Sequence, residues 1–227
     1  MNKPGTTISP ADGHLPHLQG MGRRERRAAE TRLRLFRCAL QLFAERGFSN
    51  VTVEDITEAA DVGKGTFFNY FGSKEHVLGV MAEIQLGKVR EALVQAESGR
   101  QPIQRVLQAL FQRLSEEPGR SPDLARTIIS SFLASEQVRL LVDGHMTAGR
   151  RLLARILQIG QRAGEIDPRL KSEALALLLQ QSVLGTILLW SLRGEPRITT
   201  AMEQTFQHDW RGIAARALRQ KPAEESR

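Results

Sequence analysis

Cysteine is almost missing from this 227-residue chain: Cys38 stands alone, so no disulfide forms within it, and the composition fits a reducing cytoplasm. Aromatic residues make up only 5% of the chain while Leu, Ala, Gln, Glu and Arg dominate. No stretch reads as a β-hairpin, which leaves helix as the building material. No glycine-rich phosphate loop follows a strand; Gly63-Lys64-Gly65-Thr66 has the end of one, but the glycine required five residues before Lys64 is Ala59. The histidines, His14, His17, His76, His145 and His208, fall in no H-E-x-x-H, zinc spacing or nucleophile elbow. No catalysis, metal or cofactor is therefore expected. Met1 to Gly20 lacks the apolar segment of a secretion signal. Residues 174–190 are apolar on nearly every side, yet Gln180, Gln181, Ser182 and Thr186 make them too polar and too short for a membrane span. A cytoplasmic protein without membrane contact is expected.

What is present is 41% apolar residues, enough for a real core, and a formal charge of +7 that suits a polyanionic partner. Residues 1–22, rich in Pro and Gly, are expected to be a disordered arm, with His14 and His17 solvated, and 221–227 a disordered tail. Then Arg23, Arg24, Arg26, Arg27, Arg32, Arg34 and Arg37 stand against only Glu25 and Glu30. Leu33, Phe36, Leu40 and Phe43 recur at helical spacing until Gly47, so the arginines lie mainly off a buried stripe. They suit either a solvated face or contact with phosphates or a minor groove, Arg23 to Arg27 above all. Cys38 on this helix reads as a small packed residue.

The next stretch, 51–74, holds two short helices. Thr52 N-caps the first in a box with Asp55, and Val53, Ile56, Ala59 and Ala60 form its apolar face. Asp61-Val62-Gly63 breaks the pattern, and the second helix runs from Lys64 to Tyr70, with Gly72 expected as a left-handed cap and Ser73 capping the helix that follows. Phe67 and Phe71 face inward, while Lys64, Gly65, Phe68 and Asn69 fall on other sides. A short helix held from behind and presenting a cation, an amide and an aromatic suits the DNA major groove.

Leu42-Phe43-Ala44-Glu45-Arg46-Gly47-Phe48, Thr52-Val53-Glu54-Asp55-Ile56, Lys64-Gly65-Thr66-Phe67-Phe68-Asn69-Tyr70-Phe71 and Ser73-Lys74-Glu75 together resemble the DNA-binding domain of TetR/AcrR-type transcriptional repressors. Asp61, Gly63 and Phe68 depart from the family, which usually has Gly, Ser and Tyr there. The resemblance implies an all-α fold of about nine helices. An N-terminal helix-turn-helix domain (23–76) would precede a helical ligand-binding and dimerisation domain (77–220). Lys64 and Thr66 are the candidates for base edges, with Asn69 or Phe68 adjoining and Gly63 and Gly65 on the same surface. For Thr52, Tyr70 and Lys74 the resemblance implies phosphate contact; packing beside Phe71 is the other reading of Tyr70.

Beyond a linking helix over 73–96, breaks at Glu117-Pro118-Gly119, Ser121-Pro122-Asp123, Gly164, Asp167-Pro168 and Arg193-Gly194-Glu195-Pro196 predict helices over 101–116, 122–134, 136–163, 168–193 and 199–219. Thr200 and Glu203 match a second capping box. In the family the last two helices pair with their copies, which implies a homodimer interface here with Ser182, Gly185, Leu189, Phe206, Trp210 and Ile213. The family's ligand site lies inside the C-terminal helices, and Phe111, Phe132, His145, Gln180, Gln181 and Trp190 are the candidates, with ordinary packing as the alternative for each. The expected partners are double-stranded DNA bearing an inverted repeat, a second copy of the chain and an unidentified small-molecule effector. The competing reading is an all-helical protein-interaction module with no specific DNA target.

Overall fold

The computed structural model describes residues 22–215, so the expected arm apart from Gly22, the expected tail, and His14, His17, Ala217 and Leu218 lie outside the described residues. Within them the chain folds as α1 (Arg23–Arg46), α2 (Val53–Ala59), α3 (Lys64–Tyr70), α4 (Lys74–Glu97), α5 (Ile103–Leu114), α6 (Pro122–Ala134), α7 (Glu136–Arg162), α8 (Ser172–Arg193) and α9 (Ile198–Ile213). Two 3-10 turns, Phe48–Asn50 and Pro118–Arg120, and one isolated antiparallel bridge between Ile166 and Ala214 complete the described backbone.

Local chemistry explains most of these ends. Gly47, at φ 81°, closes α1 and donates its N–H to Phe43 O at 3.0 Å. Thr52 Oγ1 accepts the Asp55 N–H at 3.1 Å while Asp55 Oδ2 accepts the Thr52 N–H at 2.7 Å, the expected reciprocal box. These Thr52 hydrogen bonds, helped by Arg46, hold the Asp55 carboxyl below its ordinary value. Asp61 turns the chain between α2 and α3 at φ 49°, a conformation that aspartate tolerates better than most residues. Gly72, in contrast, is not left-handed: α3 stops at Phe71, whose extended φ of −136° sends the chain straight into the next helix. Cys38 donates to Ala59 O at 3.4 Å, and burial raises its thiol pKa more than the Arg34 charge lowers it, as suits a packed residue.

Farther along, Ser121 Oγ caps α6 by accepting the Leu124 N–H at 3.1 Å, and Gly194 ends α8 in left-handed geometry at φ 75°. The second capping box does not form. α9 starts at Ile198, before Thr200, and Glu203 accepts instead from Gln108 at 2.8 Å, Gln112 at 3.2 Å and Gln207 at 2.7 Å. Donors from α5 outcompete the local backbone, and the Gln207 and Gln108 hydrogen bonds lead in lowering the Glu203 pKa.

Two hydrophobic cores result. One joins α4 and α5 to α7, α8 and α9 through residues such as Leu107, Phe111, Ile156, Leu157, Met202 and Phe206. The other wraps α1 to α3 around Phe43, Phe67 and Phe71, and it takes in Val77, Leu78 and Met81 from α4, Leu124 and Ile128 from α6, and Val138 and Val142 from α7. α1 is thus seated on α6 directly, where buried Thr127 Oγ1 donates to Phe43 O at 3.1 Å.

Candidate functional site

α3 is pinned from behind. Phe67 and Phe71 are fully buried with ring centroids 5.3 Å apart, and Phe68 stands edge-on to Phe67 yet remains 54% exposed. Gly63, Lys64, Gly65 and Asn69 are exposed beside it, with Thr66 and Tyr70 half-buried. Tyr70 packs on the second core, so both of its readings have a footing. Lys64 forms an ion pair with Glu54 of α2; this hydrogen bond is the first cause that lowers the Glu54 pKa. Both partners are solvated, and such a pair opens at little cost. A Cβ on Gly63 or Gly65 would meet nothing within 4 Å, and neither has a positive φ, so nothing inside the chain asks for glycine there.

Arg23, Arg24, Arg26 and Arg27 are all exposed on the first turns of α1, and none forms an ion pair among the described residues. Two residues expected at phosphates have hydrogen-bond partners within the chain. Lys74 Nζ donates to Phe48 O and Val51 O, each at 2.9 Å, and sits 4.6 Å from the Phe48 ring centroid. It ties the turn after α1 to the start of α4: Phe48 O, which also takes the Val51 N–H at 3.5 Å, gains a second donor, and Val51 O gains a charged one. Thr52 is exposed, but its amide and hydroxyl both donate to Asp55 Oδ2, at 2.7 and 2.6 Å.

Beyond α1 to α3 lies a cavity of about 180 Å³ lined by α4 to α8. Its wall is nearly all apolar, with Leu78, Met81, Phe111, Ile128 and Ile187 among the lining. Of the candidates, Phe111, Phe132, His145 and Gln180 line it; Gln181 is exposed on another side of α8, and Trp190 lines a separate hollow with Thr186, Pro196 and His208. A helix turns 100° per residue, which carries Gln181 away from the side Gln180 occupies. Two polar lining residues were not expected, Gln85 and Arg150. Each interrupts an apolar stripe at helical spacing, Gln85 between Met81 and Val89 and Arg150 between Met146 and Leu153, and that interruption was the available signal. Gln85 Nε2 donates to Glu117 at 2.8 Å, leaving its buried Oε1 without a partner among the described residues.

With this geometry in view, the comparisons with known proteins are decisive. The model for "Bacterial regulatory proteins, tetR family" matches residues 35–81, from α1 into α4. The HTH-type transcriptional repressor DhaR of Mycobacterium sp. (strain GP1) is 32% identical over 150 residues, 65% of this chain and 76% of its own length. This chain belongs to the TetR family. The HTH-type transcriptional regulator TcmR of Streptomyces glaucescens is 34% identical over 164 residues, 72% of this TetR-family chain and 66% of TcmR. Among solved structures, FadR of Thermus thermophilus, a TetR-family transcriptional repressor in complex with lauroyl-CoA, is 27% identical at a TM-score of 0.59, covering 86% of this chain and all of that one.

Within this TetR-family fold, α8 and α9 divide their apolar residues unevenly. Phe206, Trp210 and Ile213, expected at a dimer interface, are buried inside the single chain, where Phe206 meets Phe111 with centroids 5.4 Å apart and Trp210 stacks on Phe206 at 6.1 Å. Their stripe is consumed by α5 and α8. α8 is different. Leu177, Leu178, Leu184, Leu188, Leu189 and Leu192 are 38% to 63% exposed and share one side with Gln181 and Gly185. Ser182 is half-buried and donates to Asp209 Oδ1 at 3.2 Å. By length and composition α8 would also pass for a membrane span, but its other side packs on α6, α7 and α9.

Proposed function

We propose that the protein is a cytoplasmic, homodimeric repressor that holds an inverted-repeat operator through α3 and is released when a small apolar ligand enters the cavity. The observation that carries this reading is α3 itself. A helix too short to stand alone is held by two buried phenylalanines and presents Lys64, Thr66, Phe68 and Asn69 around glycines that its own chain does not need. A surface that must come very close to another backbone explains such glycines. Lys64 and Thr66 would read base edges, and Tyr70 with the arginines of α1 would hold phosphates. Thr52 would join them only by giving up a capping hydrogen bond.

The exposed leucine side of α8 is the place for the second copy, because six exposed leucines on one helix form a patch that water disfavours. Two copies would set their α3 helices about one DNA turn apart, roughly 34 Å. The apolar wall supports an effector with an apolar body, and FadR of Thermus thermophilus, solved in complex with lauroyl-CoA, is a relative that takes a ligand with such a body. Catalysis has no part in this reading.

The test is selection of genomic fragments by the protein, followed by gel shift. Enrichment of an inverted repeat is expected, and Lys64→Ala should weaken it by about 1–3 kcal/mol and relax one symmetric base position. Salt-sensitive association that is equal on all fragments would leave only an interaction module.

A further inference from the structure

Arg150 lies on the wall of the cavity, between Met146 and Leu153 on the inward side of α7. Its Nη1 donates to Gln180 Oε1 at 3.2 Å and its Nη2 to Thr147 Oγ1 at 3.4 Å, while Gln180 Nε2 donates to Met146 O at 2.9 Å. Gln180 is therefore itself fixed and turns its oxygen to the guanidinium. No described carboxylate is paired with Arg150. The same chain treats its buried Lys88 otherwise, giving its ammonium Glu116 at 2.8 Å, Glu117 at 2.5 Å and the Arg113 carbonyl. A half-buried cation on an apolar wall, oriented by neutral groups and left without a counterion, is costly to keep unless an anion arrives from outside.

We infer that Arg150 anchors the anionic head of the effector, so that the ligand is an amphipathic monoanion with its apolar body against Phe111, Ile128 and Ile187 and a carboxylate on the Arg150 fork. The guanidinium has five N–H donors, two of them in use, and its planar fork suits a carboxylate. The apolar space, about 180 Å³, exceeds the ~150 Å³ that accepts a benzene ring and falls below the ~300 Å³ of larger ligand pockets, which favours a compact body or a short chain. Gln180 is a positioning residue. The inference rests on the reading of this cavity as the effector site.

The test is calorimetric titration of the full chain at neutral pH with sodium octanoate, octanamide and octan-1-ol, with each compound also added to the operator complex in a gel shift. Octanoate should bind about tenfold or more tightly than octanamide, which has the same shape without the charge. In Arg150→Gln that preference should fall to near unity while octan-1-ol still binds, and Arg150→Lys, which keeps the charge and loses the fork, should retain part of it. Equal binding of octanoate and octanamide to the unsubstituted chain, failure of octanoate to bind, or an undiminished preference in Arg150→Gln overturns the inference. If Arg150→Gln does not melt cooperatively, the ratio in the unsubstituted chain and its change in Arg150→Lys decide. Octanoate that binds through Arg150 yet leaves the operator complex intact upholds the anchor and overturns ligand release instead.

Discussion

A glycine inside α3 leaves that helix about 0.5–1 kcal/mol less stable than alanine would. Gly65 has no compensating role in the chain, since the space where its Cβ would lie is empty. Gly65→Ala should therefore raise the melting temperature, by roughly 1–4 °C for a chain of this size, and at the same time weaken operator binding. Differential scanning fluorimetry and gel shift read the two effects separately, and a variant that is more stable but binds DNA as before would remove Gly65 from the interface. Asp209 is a second single-residue case. Burial raises its pKa, more than the Ser182 hydrogen bond and the His208 charge lower it, and its Oδ2 is buried without a partner among the described residues. A carboxyl with a raised folded-state pKa contributes stability that is complete below its unfolded pKa and is lost as pH rises through the folded value. Asp209→Asn should consequently be more stable than the unsubstituted chain at neutral pH, with the gap closing as melts are repeated below the ordinary aspartate range.

At the scale of helices, the two ends of one expected interface now part company. Leu189→Arg places its charge on the open side of α8 and should give a folded monomer that has lost the inverted repeat but keeps weak non-specific binding. Phe206→Arg strikes a fully packed ring and should lose about 3–5 kcal/mol from packing alone, so it should unfold rather than dissociate. Sedimentation and circular dichroism separate these outcomes; a folded, dimeric Leu189→Arg that still binds the repeat would put the interface elsewhere. The contrast shows what was legible. Helix ends set by their own side chains, such as Thr52 with Asp55, Ser121 before Pro122 and Gly194 after Arg193, could be read from neighbours in sequence. Glu203 could not, because its partners come from α5, and neither could the burial of Phe206, whose neighbour Phe111 is far away in sequence. The placement of Lys74 was hidden for the same reason: the carbonyls it donates to belong to the turn after α1.

For the whole molecule, charge is the long-range property. Four unpaired arginines at the start of α1 should each release counterions if they meet phosphates, so replacing Arg23, Arg24, Arg26 and Arg27 by Ala should lower affinity and flatten its salt dependence. On a double-logarithmic plot of binding constant against salt, the slope should shrink by roughly 0.9 for each phosphate given up. An unchanged slope would make that run a solvated helix end. Cavity and reader also share material. Leu78, Met81, Ile128 and Val142 belong to the core that wraps α1 to α3 and also line the cavity. A chimera cut between α3 and α4, with this reader fused to another relative's effector body, would therefore inherit a foreign floor beneath Phe43 and Phe67. Such a hybrid should work as a sensor only when those four side chains, and Thr127 with them, travel with the reader across the graft.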